Sequence, residues 1–489
     1  MVFSNLIFLY AFLPLNLLFY VLARGIRMKN AVMLVFSLIF YACGEPKYVL
    51  LLIGMALADW LLALAVEKAG STPWRRAALI GACAVSLGLL GVFKYGTFVL
   101  GNLNALTGFP SVIPEIALPI GISFYTFQLL SYVVDVYRGE VPAQRDFFKL
   151  LLYTSLFHQC IAGPIVRYRD VSEEILYRKV NITEISRGIG RFTTGLGKKA
   201  LLANTCGVLA DTLLLADTAA SDASLLAENT AALAARPALG LWLGVLCFML
   251  QIYLDFSAYS DMAIGMGLMI GFHYKENFDY PYASRSVSEF WRRWHISLGS
   301  FFRDYVYIPL GGNRKGMGRT VFNLLVVWFL TGLWHGASWN FVLWGLYFFV
   351  FIAAEKLFLR RVLEKLPAFF SHLYLLTVVF FGWILFRFRQ LSLTGTVLAG
   401  LFGLNGNAFT NYETNALLFS HIFFLIVALI AVTPVVKYAG SFLEDASKNR
   451  PVIGRINAVV RVAAPPLLML LSTMALVGNS YNPFLYFQF

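Results

Sequence analysis

Apolar runs close to twenty residues long recur from one end of this chain to the other: Asn5 to Ala23, Val49 to Val66, Ala77 to Phe93, Leu118 to Tyr137, Leu239 to Phe272 and more beyond. A helix of about 20 residues matches the roughly 30 Å hydrocarbon core of a bilayer. Strand-like alternation is nowhere sustained, so helices rather than a barrel must satisfy the backbone in lipid. Only 13% of the 489 residues are charged and 59% are hydrophobic, against about 25% charged in soluble domains. The expected fold is an all-α polytopic membrane protein. It has about eleven membrane segments, re-entrant pieces among them, in a single membrane domain over 1–489.

The formal charge of +13 does not point to nucleic acid, because the basic residues cluster beside apolar spans as the positive-inside rule requires. Arg24, Arg27 and Lys29 close the first span, which puts the N-terminus outside. That span reads as retained: no small-residue cleavage motif follows it. The five cysteines are scattered and form no C-x-x-C pair, so no metal site or disulfide framework is expected.

Phe147 to Ile161 is about 22 Å long as a helix, too short to cross, and has basic residues on both sides (Arg145; Arg167 and Arg169). It reads as a re-entrant element whose tip holds His158. Residues 167–199 carry eight Lys/Arg in alternation with apolar groups, as an amphipathic helix on the inner leaflet does. Ala200 to Ala216 leads out to an acidic loop with Asp217, Asp222 and Glu228. The return run Leu239 to Phe272 is long enough that it must tilt, kink or break. It contains the polar stripe Gln251, Asp255, Tyr259 and Asp261, in which Asp255 and Tyr259 are i, i+4 neighbours. An intramembrane aspartate is paired or faces water, and both roles stay open here. Residues 275–319 carry another eight Lys/Arg with Pro281, Pro309 and Gly311-Gly312, which argues for short cytoplasmic helices and turns.

Two histidines stand out. His335 lies between Trp334 and Gly336 inside an apolar stretch, roughly half a bilayer beyond Arg319, and a titratable group there is a functional-site candidate. Trp328, Gly332, His335 and Trp339 fall at helical spacing, and Gly332 with Gly336 forms a small-xxx-small pair that admits a close neighbour helix. A desolvated imidazole is neutral and has a nitrogen free to act as a base. The other reading of His335 is a core histidine bonded to a carbonyl. His295 follows Trp291-Arg-Arg-Trp294 in the basic segment, where simple pairing or stacking is the alternative. His158 is a further candidate, while His273, His372 and His421 have no supporting neighbourhood.

Trp294–Leu298 (WHISL), Arg303–Gly312 (RDYVYIPLGG) and Thr331–Gly336 (TGLWHG) closely resemble the membrane-bound O-acyltransferase superfamily. Within it the chain looks most like the polysaccharide acetylases of the alginate type. The likeness extends to Met1–Ser4, Leu118–Phe127, Ile161–Tyr168, Tyr253–Asp261 and Tyr481–Phe489, so it runs over essentially the whole chain. One departure is His158-Gln-Cys160, where the family pattern suggests a Pro-His-Leu-like run. The resemblance implies a central tunnel, with His335 as the catalytic histidine and His295 as the second. It implies a donor thioester, acetyl-CoA or an acylated carrier, entering from the cytoplasm, and no permanently bound cofactor or metal. It also implies an acceptor outside, either a polysaccharide or an extracytoplasmic acetyltransferase of SGNH-hydrolase type. Trp294, Trp334, Asp255, Tyr259, Asp261, Arg303, Asn313 and His158 are the candidates for lining the tunnel. The expected location is the bacterial inner membrane. D-alanyl transfer to teichoic acid is the near alternative. A proton-coupled transporter using Asp255, Asp261 and the histidines is the distant one, and no internal repeat of the transporter kind supports it.

Overall fold

A computed structural model describes residues 2–108, 116–161, 163–215, 223–478 and 481–483. The acidic loop at Asp217 and Asp222, and the tail beyond Pro483, lie outside the described residues. Every regular element is helical: α1 Phe8–Leu22, α2 Gly25–Ala42, α3 Val49–Lys68, α4 Thr72–Thr107, α5 Ile122–Arg138, α6 Phe147–Ser155, α7 Phe157–Cys160, α8 Tyr168–Leu176, α9 Ile182–Gly197, α10 Asn204–Leu214, α11 Ala223–Ala234, α12 Ala238–Ile270, α13 Val287–Arg293, α14 Ile296–Phe302, α15 Gly316–His335, α16 Trp339–Leu363, α17 Ala368–Arg387, α18 Leu391–Leu401, α19 Tyr412–Ser420, α20 Ile422–Ala431, α21 Val435–Asn449 and α22 Pro451–Gly478. Eight of these are long and apolar enough to cross a membrane, or nine if α19 and α20, bent by 58° at their junction, count as one broken span. With the shorter apolar helices α1 and α18, this is a multi-pass membrane protein.

The chain divides into two compact units, the first holding residues 1–195 and 259–277 and the second most of the remainder. In the first unit, α5 is buried along nearly its whole length. Gly121 precedes it at φ +77°, where a side chain would collide with the Cys160 carbonyl, so only glycine serves there. The expected re-entrant segment is two helical pieces, α6 and α7, broken at Leu156, with Asp146 capping the first by accepting from the Phe148 amide at 3.0 Å. The apolar run that ends at Phe93 in sequence continues as helix, because α4 runs on to Thr107 through a π-turn at Gly91–Tyr95.

The long α12 does not break. It is one helix of 33 residues, and 83% of its most apolar stretch is buried, so protein rather than lipid covers its excess length. By contrast α22 is only 6% buried, as a helix facing acyl chains should be. Lipid tails are as apolar as leucine, so packing and polar pairing, not hydrophobic burial, hold such helices together.

In the second unit, α15 and α16 form an antiparallel hairpin. The apolar run that looks continuous from Arg319 onward is interrupted here: α15 ends at His335, Gly336 is extended (φ −175°, ψ 155°), and α16 begins at Trp339. Trp339 therefore does not share the face of Trp328 and His335, and it is 54% exposed. Because α15 is unbroken, sixteen residues, about 24 Å of helix axis, separate Arg319 from His335, more than half a bilayer. The hairpin closes where Gly332 meets Gly345: a Cβ on Gly332 would strike the Phe341 carbonyl, and one on Gly345 the Trp328 carbonyl. The basic segment 275–319 is, as its prolines and glycines suggest, a set of short helices and turns.

Candidate active site

Along α15, the residues Leu324, Val327, Trp328, Thr331 and His335 recur at steps of three and four, and all line one cavity of about 870 Å³ in the second unit. The opposite wall comes from α16, through Ile352, Glu355, Lys356, Arg360 and Leu363, and from the basic segment, through Trp291, Arg292, Trp294, His295 and Arg303. The stripe from Leu324 to His335 spans eleven steps, about 16 Å of axis, so the space is elongated. His335 and His295, forty residues apart in sequence, line it together.

Both imidazoles meet Trp334, at ring-centroid separations of 5.8 Å for His295 and 5.1 Å for His335. His335 also lies edge-on to Trp344 (5.0 Å) and Phe386 (5.2 Å). His295 packs against Phe256 at 4.7 Å and its Nδ1 is 3.4 Å from Ser297 Oγ. Burial pushes the His295 imidazole down to about 3, so it is uncharged at physiological pH and retains a lone pair. Trp291, Trp328, Trp344 and Phe348 extend the aromatic wall, at centroid distances of 4.9 to 5.3 Å from Trp291.

The lining carries five cations, Arg285, Arg292, Arg303, Lys356 and Arg360, against three carboxylates, Glu289, Glu355 and Glu364. Glu289 and Glu364 pair with Arg293 and Arg360, each at 2.7 Å. Glu355 bonds to backbone. The lining as a whole therefore carries an excess of two positive charges, and an aromatic imidazole pair stands at the His335 end of α15. Such a space suits an elongated ligand with an anionic head and a reactive carbonyl at its tip.

The other sequence candidates are distributed as follows. Trp294 lines the cavity, and Trp334 sits just behind it between the histidines. Arg303 lines it and binds the neighbouring Asp304 at 2.6 Å. Asn313 is exposed in the turn before α15, away from the lining. Asp255 forms a buried ion pair with Lys199 at 2.8 Å. Asp261 accepts from Arg191 Nε at 2.7 Å, and Arg191 also binds Glu276. Both aspartates of the polar stripe are thus paired. Tyr259 stacks on Phe3 at 4.3 Å. His158 is buried in the first unit, with Nδ1 3.3 Å from the Tyr274 hydroxyl. His273 is held by Glu174 and Glu184, and His372 by the Ser284 carbonyl. Trp344, Trp383, Phe386 and Glu355 were not singled out by sequence. Tryptophan density around 291–344 signals the first, whereas nothing local marks the others. Among the described residues, no group of three or more His, Cys, Asp or Glu could hold a metal ion.

Residues 138–397 match the model of the membrane-bound O-acyltransferase family. Over its full length the chain is 38% identical to a probable alginate O-acetylase, AlgI, of Pseudomonas putida, with all of both chains covered. It is 29% identical to the peptidoglycan O-acetyltransferase of Helicobacter pylori, covering 100% of this chain and 98% of that one. A teichoic acid D-alanyltransferase of Bacillus subtilis is 26% identical over 49% of this chain and 59% of its own.

Proposed function

The chain belongs to the membrane-bound O-acyltransferase family and is an O-acyltransferase, and from that premise we propose that it moves acetyl groups from a cytoplasmic thioester to an exopolysaccharide or cell-envelope polymer. The donor is acetyl-CoA or an acylated carrier, whose phosphates the cations of the cavity attract. The acceptor hydroxyl belongs to the polymer itself or to an extracytoplasmic acetyltransferase of SGNH-hydrolase type, with the enzyme in the bacterial inner membrane. Similarity to the alginate and peptidoglycan acetylases over the full length supports acetyl over D-alanyl transfer.

The observation that carries the reading is the shared cavity: His335 and His295 line one elongated space that leads along α15 and α16 to the cations. His335 takes the proton as the hydroxyl oxygen attacks the thioester carbonyl, the C–S bond breaks, and the leaving thiolate is protonated. Attack by the imidazole nitrogen itself, with the acyl group passed on to the hydroxyl, uses the same atoms. His295, uncharged and anchored beside Trp334, orients the reacting groups. Asp255 and Asp261, which a proton-coupled transporter would need, are instead engaged by Lys199 and Arg191.

His335→Ala should lower polymer acetylation by at least about 100-fold, the lower range for a lost general base, with unchanged abundance in the membrane. Mass spectrometry of envelope polymers reads both the acetyl and the D-alanyl esters. Wild-type acetylation in the variant removes the assignment, and loss of D-alanyl esters in its place redirects it.

A further inference from the structure

We propose that Glu355 is the positioning residue that fixes the helix leading to His295 against the hairpin that carries His335; this rests on the acyl-transfer reading above. Helix α13 has seven residues, too few to persist alone, so something outside it must set its direction. Its first turn has backbone amides without intrahelical partners. Local side chains satisfy two amides at this end. Ser286 Oγ accepts from the Glu289 amide at 3.1 Å, and Glu289 Oε2 accepts from the Arg285 amide at 2.9 Å, a reciprocal cap.

The amides of Val287 and Ser288 go elsewhere. Both donate to Glu355, one to each oxygen, at 2.6 and 2.9 Å, and the Tyr374 hydroxyl donates to Oε1 at 3.2 Å. Glu355 is 3% exposed, and among the described residues no Lys or Arg lies in salt-bridge range of it. A buried carboxylate without a cation is costly. Here two charge-assisted amide bonds at a helix start compensate, and they fix both position and direction.

Glu355 belongs to a π-turn, Glu355–Leu359, that continues α16, and α16 is locked to α15 through Gly345 and Gly332. The carboxylate therefore joins the His335 hairpin to α13. From α13 the chain passes Trp291 and Trp294 directly into His295, whose backbone is itself constrained at φ +46°. Any rotation of α13 is passed on to His295. Displacements near 1 Å cost about 100-fold in well-organised sites.

Glu355→Gln keeps the size, but its amide nitrogen must face one of the two backbone N–H groups. Turnover should fall by at least about tenfold, given that sensitivity. Diethylpyrocarbonate labelling, mapped by mass spectrometry on the full-length protein in detergent, gives a readout that needs no substrate. His295 labelling should rise in the variant, while His158, equally buried in the first unit, stays protected. Unchanged His295 labelling, or His158 and His295 rising together, overturns the proposal, the second result meaning general loosening. If Glu355→Gln does not accumulate, Tyr374→Phe removes one of the three donors. It should still raise His295 labelling and lower turnover about two- to threefold, as the loss of one hydrogen bond does. No change at His295 there overturns the proposal as well. Acetylation that survives His335→Ala defeats the acyl-transfer reading without altering either labelling outcome.

Discussion

His295 occupies a left-handed backbone conformation (φ +46°, ψ 54°). It is one of three non-glycine residues with positive φ among those described, and the one of the three on the cavity lining. For a residue with a Cβ that conformation costs about 1–2 kcal/mol, and strain of this kind gathers at functional sites because the surroundings over-determine it. The imidazole and the backbone strain can be separated experimentally. His295→Ala and His295→Gly both delete the ring, so both should lose transfer activity. Glycine alone also removes the strain, so the glycine variant should be more stable than the alanine variant by about 1 kcal/mol, the reverse of the usual order in ordered backbone. Melting temperatures in detergent decide it; an alanine variant that melts higher than the glycine variant would refute the strain. Because burial holds the His295 pKa near 3, the native state resists taking a proton that the unfolded chain accepts. Stability from this group is intact above about 6.5 and declines as pH falls toward 3. Both variants should flatten that decline.

At the scale of elements, the hairpin of α15 and α16 sets where His335 points. Gly332 marks the face of α15 that admits a neighbour, whereas Gly336, expected to pair with it at helical spacing, is extended beyond the helix end; periodicity along one helix names a face and never the helix that fills it. The neighbour is α16 through Gly345. The sequence also failed to show that the two halves of the hairpin are separate helices: both sides of Gly336 are apolar, so hydropathy reads straight through the turn. Close approach at Gly345 leaves no room for a methyl group against the Trp328 carbonyl. Gly345→Ala should therefore destabilise the protein by about 1–3 kcal/mol, the range for overpacking, and lower activity as the hairpin opens. Gly318, on the same α15, has open space around its Cβ position. There alanine should stabilise by up to about 1 kcal/mol through helix propensity and leave transfer intact. Equal melting temperatures for the two variants would show that the helices have room to adjust.

Across the whole molecule, what was legible in sequence is what a single segment encodes. Apolar runs of bilayer length mark the spans, and the tryptophan-rich stretch at 291–335 marks two histidines. What was not legible is what joins segments far apart: Glu355 to Val287, Arg191 to Asp261, and Lys199 to Asp255. The polar stripe of α12 left Asp255 open between pairing and lining a tunnel, because its partner stands 56 positions earlier in a π-turn at the end of an amphipathic helix. In the structure Lys199 and Asp255 are 3% and 2% exposed and 2.8 Å apart, and Lys199 also donates to the Pro483 carbonyl. One buried cation thus fastens α12, the start of α10 and the residues after α22. Beside it Asp211 accepts from the Tyr481 hydroxyl at 2.6 Å and binds Arg387 at 2.5 Å. Removing one member of a buried pair leaves an uncompensated charge and costs about 3–5 kcal/mol, whereas replacing both by apolar groups of similar size is often close to neutral. Asp255→Ala should therefore strongly reduce the amount of folded protein in the membrane, and the double variant Lys199→Met with Asp255→Leu should restore most of it. Acetylation should follow abundance in both, since neither residue lines the cavity. A double variant that is as abundant as wild type yet inactive would instead place the pair in the chemistry, and fluorescence-detected size exclusion run beside the acetylation assay distinguishes the two.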